Sequence, residues 1–360
     1  MGDGSWIGLD VHARSTVAAV IDGGSGEVVV CGAPAGVEEL VGWVAQHPGP
    51  VRAAYEAGPT GFGLARTLGA VGVGCTVAAP SLIPRSPAAR GRKRDASDAE
   101  ALARALRLGE LVGVCVPEAI DEAARDLVRA REDARADLMR ARHRLSKLLL
   151  RNGRVFDGRA WTLGHEAWLR RQRFDHAATD WAFDEYYRAV VQIADRRDGL
   201  DARIGELATD PRFAPVVERL SCLRGVGTLT AFALCVEIGD WTRLSGRTIG
   251  SYLGLVPSEH QSGQRHTRGP ITKAGNGHAR RLLVESAWHH RPEHRASPVL
   301  ERRRAGQRPD VVARAEHAGR RLHRRWRHLE KQRGLRSTVV AVAVARELAG
   351  FCWSLAVMDD

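Results

Sequence analysis

The order of β-type and helical stretches in the first 115 residues constrains the fold more than any other feature of the sequence. Three β-rich runs, WIGLDVH, STVAAVID and GEVVVCG, follow one another across polar or Gly-containing turns, which predicts a three-strand meander. A helical stretch at Val37–Gln46, the strand VRAAYEAG, a helix beginning near Thr60 and the strand GVGCTVAAP come next, before the helical segment DASDAEALARALRLG. The order βββαβαβα predicts an α/β domain with a mixed sheet and helices on its faces.

Four carboxylates lie at the ends of these elements. Asp10 ends the strand WIGLD, Glu56 has a similar place in VRAAYEAG, and Asp95 and Asp98 share one face at the start of the last helix. Carboxylates brought together repel one another unless cations lie among them. Hard oxygen ligands suit Mg²⁺ or Mn²⁺, and two such ions about 4 Å apart can hold a scissile phosphate. The element order is that of the ribonuclease H-like fold, so the four residues together predict a metal site, although Asp98 alone could be a helix-capping residue and Asp10 a turn residue.

The sequence changes character beyond Pro117. Between Pro117 and Asp210 it is charged and rich in Ala and Leu, and two apolar series, Ala124–Leu148 and Tyr186–Leu207, keep a 3-and-4 spacing interrupted only by Arg131 and Arg197. The spacing predicts two heptad helices that form an antiparallel coiled-coil arm or dimerisation element. An ordinary helical bundle within one chain explains it equally well.

A third region begins after Phe213. Gly225-Val226-Gly227 lies between two apolar helical stretches, which predicts either a helix-hairpin-helix that contacts phosphate through Arg224, Gly225 and Gly227 or a plain pair of helices. Further on, Lys273, Arg280 and Arg281 are candidate phosphate ligands or members of a solvated helix face. The expected domains are therefore residues 1–116, 117–212 and 213–360, the last two all-α.

Charge favours a polyanionic partner. Lys and Arg number 54 against 42 Asp and Glu, a net charge of +12, which suits nucleic acid but also an ordinary basic protein.

The six cysteines form no C-x-x-C pair, so neither a zinc site nor a disulfide framework is expected. The start MGDGSWIGLD lacks the features of a signal peptide, and the apolar stretch Thr338–Met358, broken by Arg346 and Glu347, predicts a buried helix. A cytoplasmic protein without a membrane span is expected.

Seven motifs carry a resemblance to a known family. They are GLDVH (Gly8–His12), YEAGPTG (Tyr55–Gly61), KRDASDAEALA (Lys93–Ala103), RDLVRARED (Arg125–Asp133), LRGVGTLTA (Leu223–Ala231), YLGLVPSEHQSG (Tyr252–Gly263) and GPITKAGNGHARRLLVESAW (Gly269–Trp288). In this order and over nearly the whole chain, the sequence resembles the DEDD transposases of the insertion sequence 110 family, whose N-terminal domain is RuvC-like.

The resemblance implies a catalytic mechanism. It implies that Asp10, Glu56, Asp95 and Asp98 ligate metal and that a C-terminal serine becomes covalently joined to DNA. Ser251, Ser258 and Ser262 are the candidates, and Ser262 stands in the SG before GPITK where the family places its serine. The resemblance also implies a structured guide RNA from the element and a homo-oligomer acting on double-stranded DNA.

Three hypotheses of function follow. The first is an RNA-guided recombinase that cleaves and rejoins DNA strands. The second is a RuvC-like nuclease or site-specific invertase that uses only the tetrad. The third is a catalytically inactive nucleic-acid-binding or assembly protein, against which the intact carboxylates at all four positions argue.

Overall fold

Five strands form the sheet of the N-terminal unit. The computed structural model describes residues 4–84, 94–262 and 265–359, except for the side chains of residues 260, 262, 265 and 266, and divides into the units Met1–Ile120 and Asp121–Asp360. The strands are β1 (Ser5–Val11), β2 (Thr16–Asp22), β3 (Val28–Ala33), β4 (Val51–Glu56) and β5 (Gly74–Ala78), in the order β3-β2-β1-β4-β5. β1 pairs antiparallel with β2 and parallel with β4. The predicted meander and mixed sheet are confirmed.

Helices cover both faces of this sheet. On one face α1 (Val37–Ala45) and α2 (Gly63–Ala70) pack against the side chains that alternate inward from β1, Ile7 and Leu9 among them. On the other face lies α3 (Asp95–Leu108), whose Ala99 and Ala103 contact Ala19 and Ile21 of β2. The second helix begins at Gly63, three residues after the predicted Thr60.

Gly8 lets α3 approach β1 closely. A Cβ added at Gly8 would lie 2.1 Å from the carbonyl oxygen of Ala99 and 2.5 Å from the amide nitrogen of Ala103. Only glycine leaves room for the helix backbone at this distance. At the far end of α3, Arg107 donates to the carbonyl of Gly23 (3.3 Å), so the helix runs antiparallel to β1 and its first turn lies near the end of that strand.

Two long helices dominate the start of the second unit. α4 (Ala119–Arg151) and α6 (Ala177–Leu207) pack antiparallel, because Arg131 pairs with Asp201 (2.6 Å) while Leu145 lies in one core with Phe183. The short helix α5 (Leu163–Leu169) closes that core. Arg131, which interrupts the apolar series, is thus an ion-pairing residue of the helix interface. A coiled coil between chains stays a prediction.

The rest of the second unit is mainly helical. Its elements are α7 (Ala214–Ser221), α8 (Thr228–Ile238), α9 (Ile249–Tyr252), the hairpin strands β6 (Pro257–Ser262) and β7 (Arg265–Ile271), α10 (Gly277–Ala287), α11 (Pro298–Arg304), α12 (Pro309–Arg327) and α13 (Ser337–Ala356). α13 is long and apolar enough to cross a membrane, yet Val344 and Leu348 are fully buried in the core of this unit. The predicted buried helix is confirmed.

The packing at Gly8 is testable by adding one methyl group. We expect Gly8→Ala to lower the free energy of unfolding by about 3 kcal/mol or more, because backbone atoms of α3 rather than a flexible side chain must move. Gly42→Ala is the matched control: Gly42 lies inside α1 with no atom within 4 Å of an added Cβ, so it should be neutral or stabilise by up to about 1 kcal/mol. Urea unfolding followed by circular dichroism measures both. Equal midpoints for Gly8→Ala and wild type would contradict the close approach.

Candidate metal centre and C-terminal hairpin

The end of β1 and the start of α3 bring two carboxylates and an imidazole together. Asp10 lies two residues after Gly8, so its side chain points to the face that α3 covers. One ligand atom from each of Asp10, His12 and Asp95 lies within 4.8 Å of the other two. His12 Nε2 is 3.2 Å from Asp10 Oδ2 and 4.0 Å from Asp95 Oδ2. Side chains 85 positions apart (95 − 10) thus meet as the sequence predicts.

Glu56 occupies the neighbouring strand at the same level. Leu9 of β1 is paired with Tyr55 of β4, so Asp10 and Glu56 are the next residues along two adjacent parallel strands. Adjacent strands lie about 4.8 Å apart and paired residues point to the same face. Glu56 is exposed at the strand end. The register therefore directs its carboxylate to the same edge as that of Asp10.

Asp98 lies in the first turn of α3, three residues after Asp95, and is half-buried. Residues at this spacing are neighbours on a helix surface. The positive end of the helix dipole also stabilises negative charge in the first turn. The backbone thus directs all four predicted ligands to one edge of the sheet. In the described structure, ligand atoms of Asp10 and Asp95 lie within 4.8 Å of each other, whereas Glu56 and Asp98 are not part of that cluster, so their role as ligands stays a prediction.

His12 is a member of this site that the metal-ligand prediction missed. It belongs to the quoted motif GLDVH, and the alternation Gly8, Asp10, His12 is the signal that could have placed its ring on the α3 face. The exposed fractions of the side chains, 18% for Asp10, 44% for His12 and 52% for Asp95, leave the site open to solvent and to a ligand. Carboxylate oxygens with one imidazole nitrogen form a donor set that fits a divalent cation.

Ser262 lies at the tip of the β6–β7 hairpin. Its backbone ends β6 and is paired with Arg265 of β7, while its side chain lies outside the described part of the structure. Ser258, farther back on β6, donates its hydroxyl hydrogen to the carbonyl of Pro270 on the partner strand (3.1 Å). Ser251 is exposed on α9. Of the two candidate serines on the hairpin, Ser262 is the one at the end of β6.

The Gly225-Val226-Gly227 turn joins α7 to α8 as predicted, but Gly225 faces protein. Its φ is +83°, and an added Cβ would lie 2.6 Å from the carbonyl oxygen of Ser286. The turn is therefore packed against the end of α10, which explains Gly225 without a ligand. Arg224 donates to the carbonyl of Glu293 (2.7 Å), and burial lowers the pKa of its guanidinium. Phosphate contact by Arg224, Gly225 or Gly227 stays a prediction.

The three basic candidates beyond the hairpin differ in what they contact. Arg280 donates to the carbonyls of Leu253 (3.0 Å) and Ala274 (2.8 Å). Arg281 forms ion pairs with Glu132 and with Glu285 (2.6 Å). Lys273 is exposed beside the base of the hairpin. Of the three, Lys273 is the residue most available to an incoming phosphate.

A buried carboxylate network holds the start of α10, and no sequence motif indicates it. Glu237, at the end of α8 with 1% of its side chain exposed, accepts hydrogen bonds from Asn276 (2.6 Å), His278 (3.1 Å) and Arg129 (3.3 Å). Asn276 also caps α10 by accepting from the amide of Ala279. Burial alone would raise the pKa of Glu237, but these donors outweigh it and lower the pKa to about 2. Glu237 thereby fixes α4 and α10 to α8.

This network predicts a pH-dependent contribution to stability. The pKa of Glu237 falls from 4.5 in the unfolded chain to about 2 in the fold, so its contribution is fully present above pH 4.5 and is lost as pH falls towards 2. We expect Glu237→Gln to lower the free energy of unfolding by roughly 3 kcal/mol at pH 7 and by progressively less between pH 5 and 2.

Thermal and urea unfolding at several pH values measure this difference. Glu206→Gln removes a charge from an exposed position of α6 and should stay within about 0.5 kcal/mol of wild type throughout. A gap between Glu237→Gln and wild type that does not narrow in acid would contradict the assignment.

Comparison with known proteins connects both regions to one family. Residues 7–152, which contain Asp10, Glu56, Asp95 and Asp98, match the DEDD transposase family of IS110, described as Transposase. Residues 217–301, which contain the hairpin, match the family described as Transposase IS116/IS110/IS902 family.

Individual relatives cover nearly the whole chain. It is 40% identical to a putative transposase y4qE of Sinorhizobium fredii, over 98% of this chain and 88% of that protein. It is 32% identical to the transposase for insertion sequence element IS1533 of Leptospira borgpetersenii, over 91% of this chain and 97% of the relative. The chain therefore belongs to the IS110 family of DEDD transposases, enzymes that cleave and rejoin the DNA of an insertion element and depend on a divalent metal.

Proposed function

We propose that this transposase cleaves DNA with a metal centre formed by Asp10, Glu56, Asp95 and Asp98 and conserves the cut strand as a covalent ester on Ser262. The observation that carries the proposal is the convergence of Asp10 and Asp95, with His12, within 4.8 Å at the open edge of the sheet.

The carboxylates would hold Mg²⁺ or Mn²⁺, with two ions among four ligands. Such ions neutralise the charge of the scissile phosphate and favour departure of the leaving oxygen. Asp10 and Glu56, on adjacent strands, present fixed oxygens, while Asp95 and Asp98 complete the set from the helix. His12 contacts Asp10 and Asp95, so it orients these carboxylates or adds a nitrogen ligand.

The serine step conserves the energy of the phosphodiester. The Ser262 oxygen forms a bond to phosphorus, the bond from phosphorus to a sugar oxygen breaks, and the serine proton leaves while the released sugar oxygen gains one. Rejoining reverses the step, with a sugar hydroxyl displacing the serine. In the sequence Ser262 precedes a glycine, a residue type that permits the backbone conformations needed to reach phosphorus, and Lys273 near the base of the hairpin supplies positive charge for the strand.

Guide RNA and self-association complete the proposal. The net charge of +12 suits an RNA partner in addition to DNA, and the sequence resemblance implies a structured RNA that selects donor and target by base pairing. The antiparallel pair α4 and α6 offers a long helical surface for a homo-oligomer, dimer or tetramer.

Replacing each tetrad carboxylate by its amide tests the metal centre. Asp10→Asn, Glu56→Gln, Asp95→Asn and Asp98→Asn should each reduce strand cleavage of element-end DNA at least about 100-fold in Mg²⁺, because one ligand oxygen becomes an uncharged amide. DNA affinity should change by less than about threefold, since one charge is small beside a footprint of many phosphates. Asp22→Asn, at the far end of the adjacent strand β2, is the control and should cleave normally. Wild-type cleavage by any tetrad variant would remove that residue from the metal centre.

Replacing the three serines singly tests the covalent step. Ser262→Ala should abolish both recombination and the covalent protein–DNA adduct seen in denaturing gels, with the fold unchanged, because it removes the hydroxyl to which the proposal assigns the attack on phosphorus. Ser251→Ala and Ser258→Ala are the matched controls and should retain adduct within about threefold. Adduct formed by Ser262→Ala and lost in another variant would move the nucleophile to that serine. If all three variants form adduct, the serine mechanism fails.

A further inference from the structure

A cleft rich in arginine lies in the second unit, apart from the hairpin tip. It has a volume of about 430 Å³ and lies between the segment that enters α9 and the helices α12 and α13. Its arginines are Arg247, Arg314, Arg321 and Arg346, and we refer to this cleft as the arginine groove. Its acidic lining residue is Glu347.

The charges in the groove do not balance. Glu347 pairs with Arg321 (3.2 Å) and with Arg325 just beyond the groove (3.0 Å). Arg247 and Arg346 are exposed, and neither forms an ion pair with any other residue in the part of the chain that the structure describes. Uncompensated guanidinium groups around one cleft produce a positive potential that an anion would relieve.

Small residues on the floor keep the groove open and position its arginines. The side chain of Arg346 lies across Gly250, where an added Cβ would be 3.2 Å from Arg346 Cγ. Gly246 lies against the ring of Trp353, which itself donates to the carbonyl of Leu244 (3.0 Å). Arg314 donates to the hydroxyl of Ser354 (3.0 Å). The groove is therefore walled by side chains that the fold already holds in place.

The arginine groove continues to the hairpin. A second cavity of about 990 Å³ shares Arg321 and Arg346 with it and is lined at its other end by Pro257 and Gly269, at the base of β6 and β7, and by Lys273. The two cavities thus connect Arg247 and Arg346 to the strands β6 and β7. The wall of the second cavity is mainly apolar between its basic residues, with Val339 and Val342 among the lining side chains.

We propose that the arginine groove binds consecutive backbone phosphates of the DNA duplex and leads the strand towards the hairpin. Guanidinium groups match phosphate oxygens through paired N–H donors and remain charged at any physiological pH. In the described structure, Phe351 is the one large apolar residue that lines the groove. This lining favours the charged sugar-phosphate backbone of DNA over an apolar ligand. The inference rests on the proposed function only in taking Ser262 as the destination of the strand.

The test removes the two unpaired arginines of the groove. Arg247→Ala/Arg346→Ala should bind a duplex of the element end at least about tenfold more weakly at 0.15 M salt. The slope of log Kd against log salt should fall by about 2, one unit for each lost phosphate contact. In a phosphate-ethylation interference experiment on the same duplex, ethylation at two or more phosphates should weaken binding of the wild-type protein but no longer weaken binding of the variant. All measurements are made in EDTA, so the result does not depend on cleavage, on the tetrad or on Ser262.

A control variant removes the same charge elsewhere. Arg171→Ala/Arg302→Ala changes two exposed arginines outside the groove and should leave the interference pattern intact and alter Kd by less than about threefold. If the groove variant behaves like this control while both keep the wild-type circular dichroism spectrum, the proposal is overturned. It is also overturned if binding of a structured RNA falls while duplex binding is unchanged, because the groove would then be an RNA site.

Discussion

The contact between α3 and β1 at Gly8 is the interaction on which the metal centre depends. Backbone atoms of Ala99 and Ala103 lie where any side chain at position 8 would have to be. Because the helix is held this close and runs antiparallel to the strand, its first turn meets the end of β1 and Asp95 meets Asp10. The close packing of Gly8 against α3 therefore determines whether Asp10, two residues further along β1, lies near Asp95.

Convergence of carboxylates costs free energy, and the fold offsets part of this cost. The first turn of α3 provides the positive end of a helix dipole near Asp95 and Asp98, and the His12 ring donates to the carboxylate of Asp10 at 3.2 Å. The remaining repulsion is relieved only by cations. A site whose side chains stay partly exposed is suited to bind metal reversibly, as an enzyme that must also admit DNA requires.

The features of the fold and of the candidate site that the sequence predicts are those that depend on residues close together in the chain. Alternation of apolar residues is local, so β1 to β5 and the long helices were predictable, as was the place of Asp10 and Asp95 at element ends. Contacts between distant segments left no local pattern. The sequence around Gly225 does not indicate its packing against Ser286, and the sequence around Arg281 does not indicate its ion pair with Glu132, 149 positions away. Phosphate binding by either residue stays a prediction. The side chain of Ser262, for which the sequence made the boldest prediction, lies outside the described residues.

Whether an arginine of this chain is available to bind phosphate depends on its contacts within the fold, not on the number of arginines. Arg280 donates to backbone carbonyls, and Arg304 donates to the carbonyl of Cys222 and pairs with Glu316 (2.7 Å), so both guanidinium groups already have partners in the fold. Displacing such a guanidinium towards a phosphate would leave carbonyls or a carboxylate unpaired, which costs more than a new surface contact returns. Arg247 and Arg346 have no such commitment in the described structure and face one groove. Nucleic acid is therefore expected to bind where arginines have no ion-pair or hydrogen-bond partner within the fold. The net charge of +12 indicates an excess of basic side chains but does not locate them.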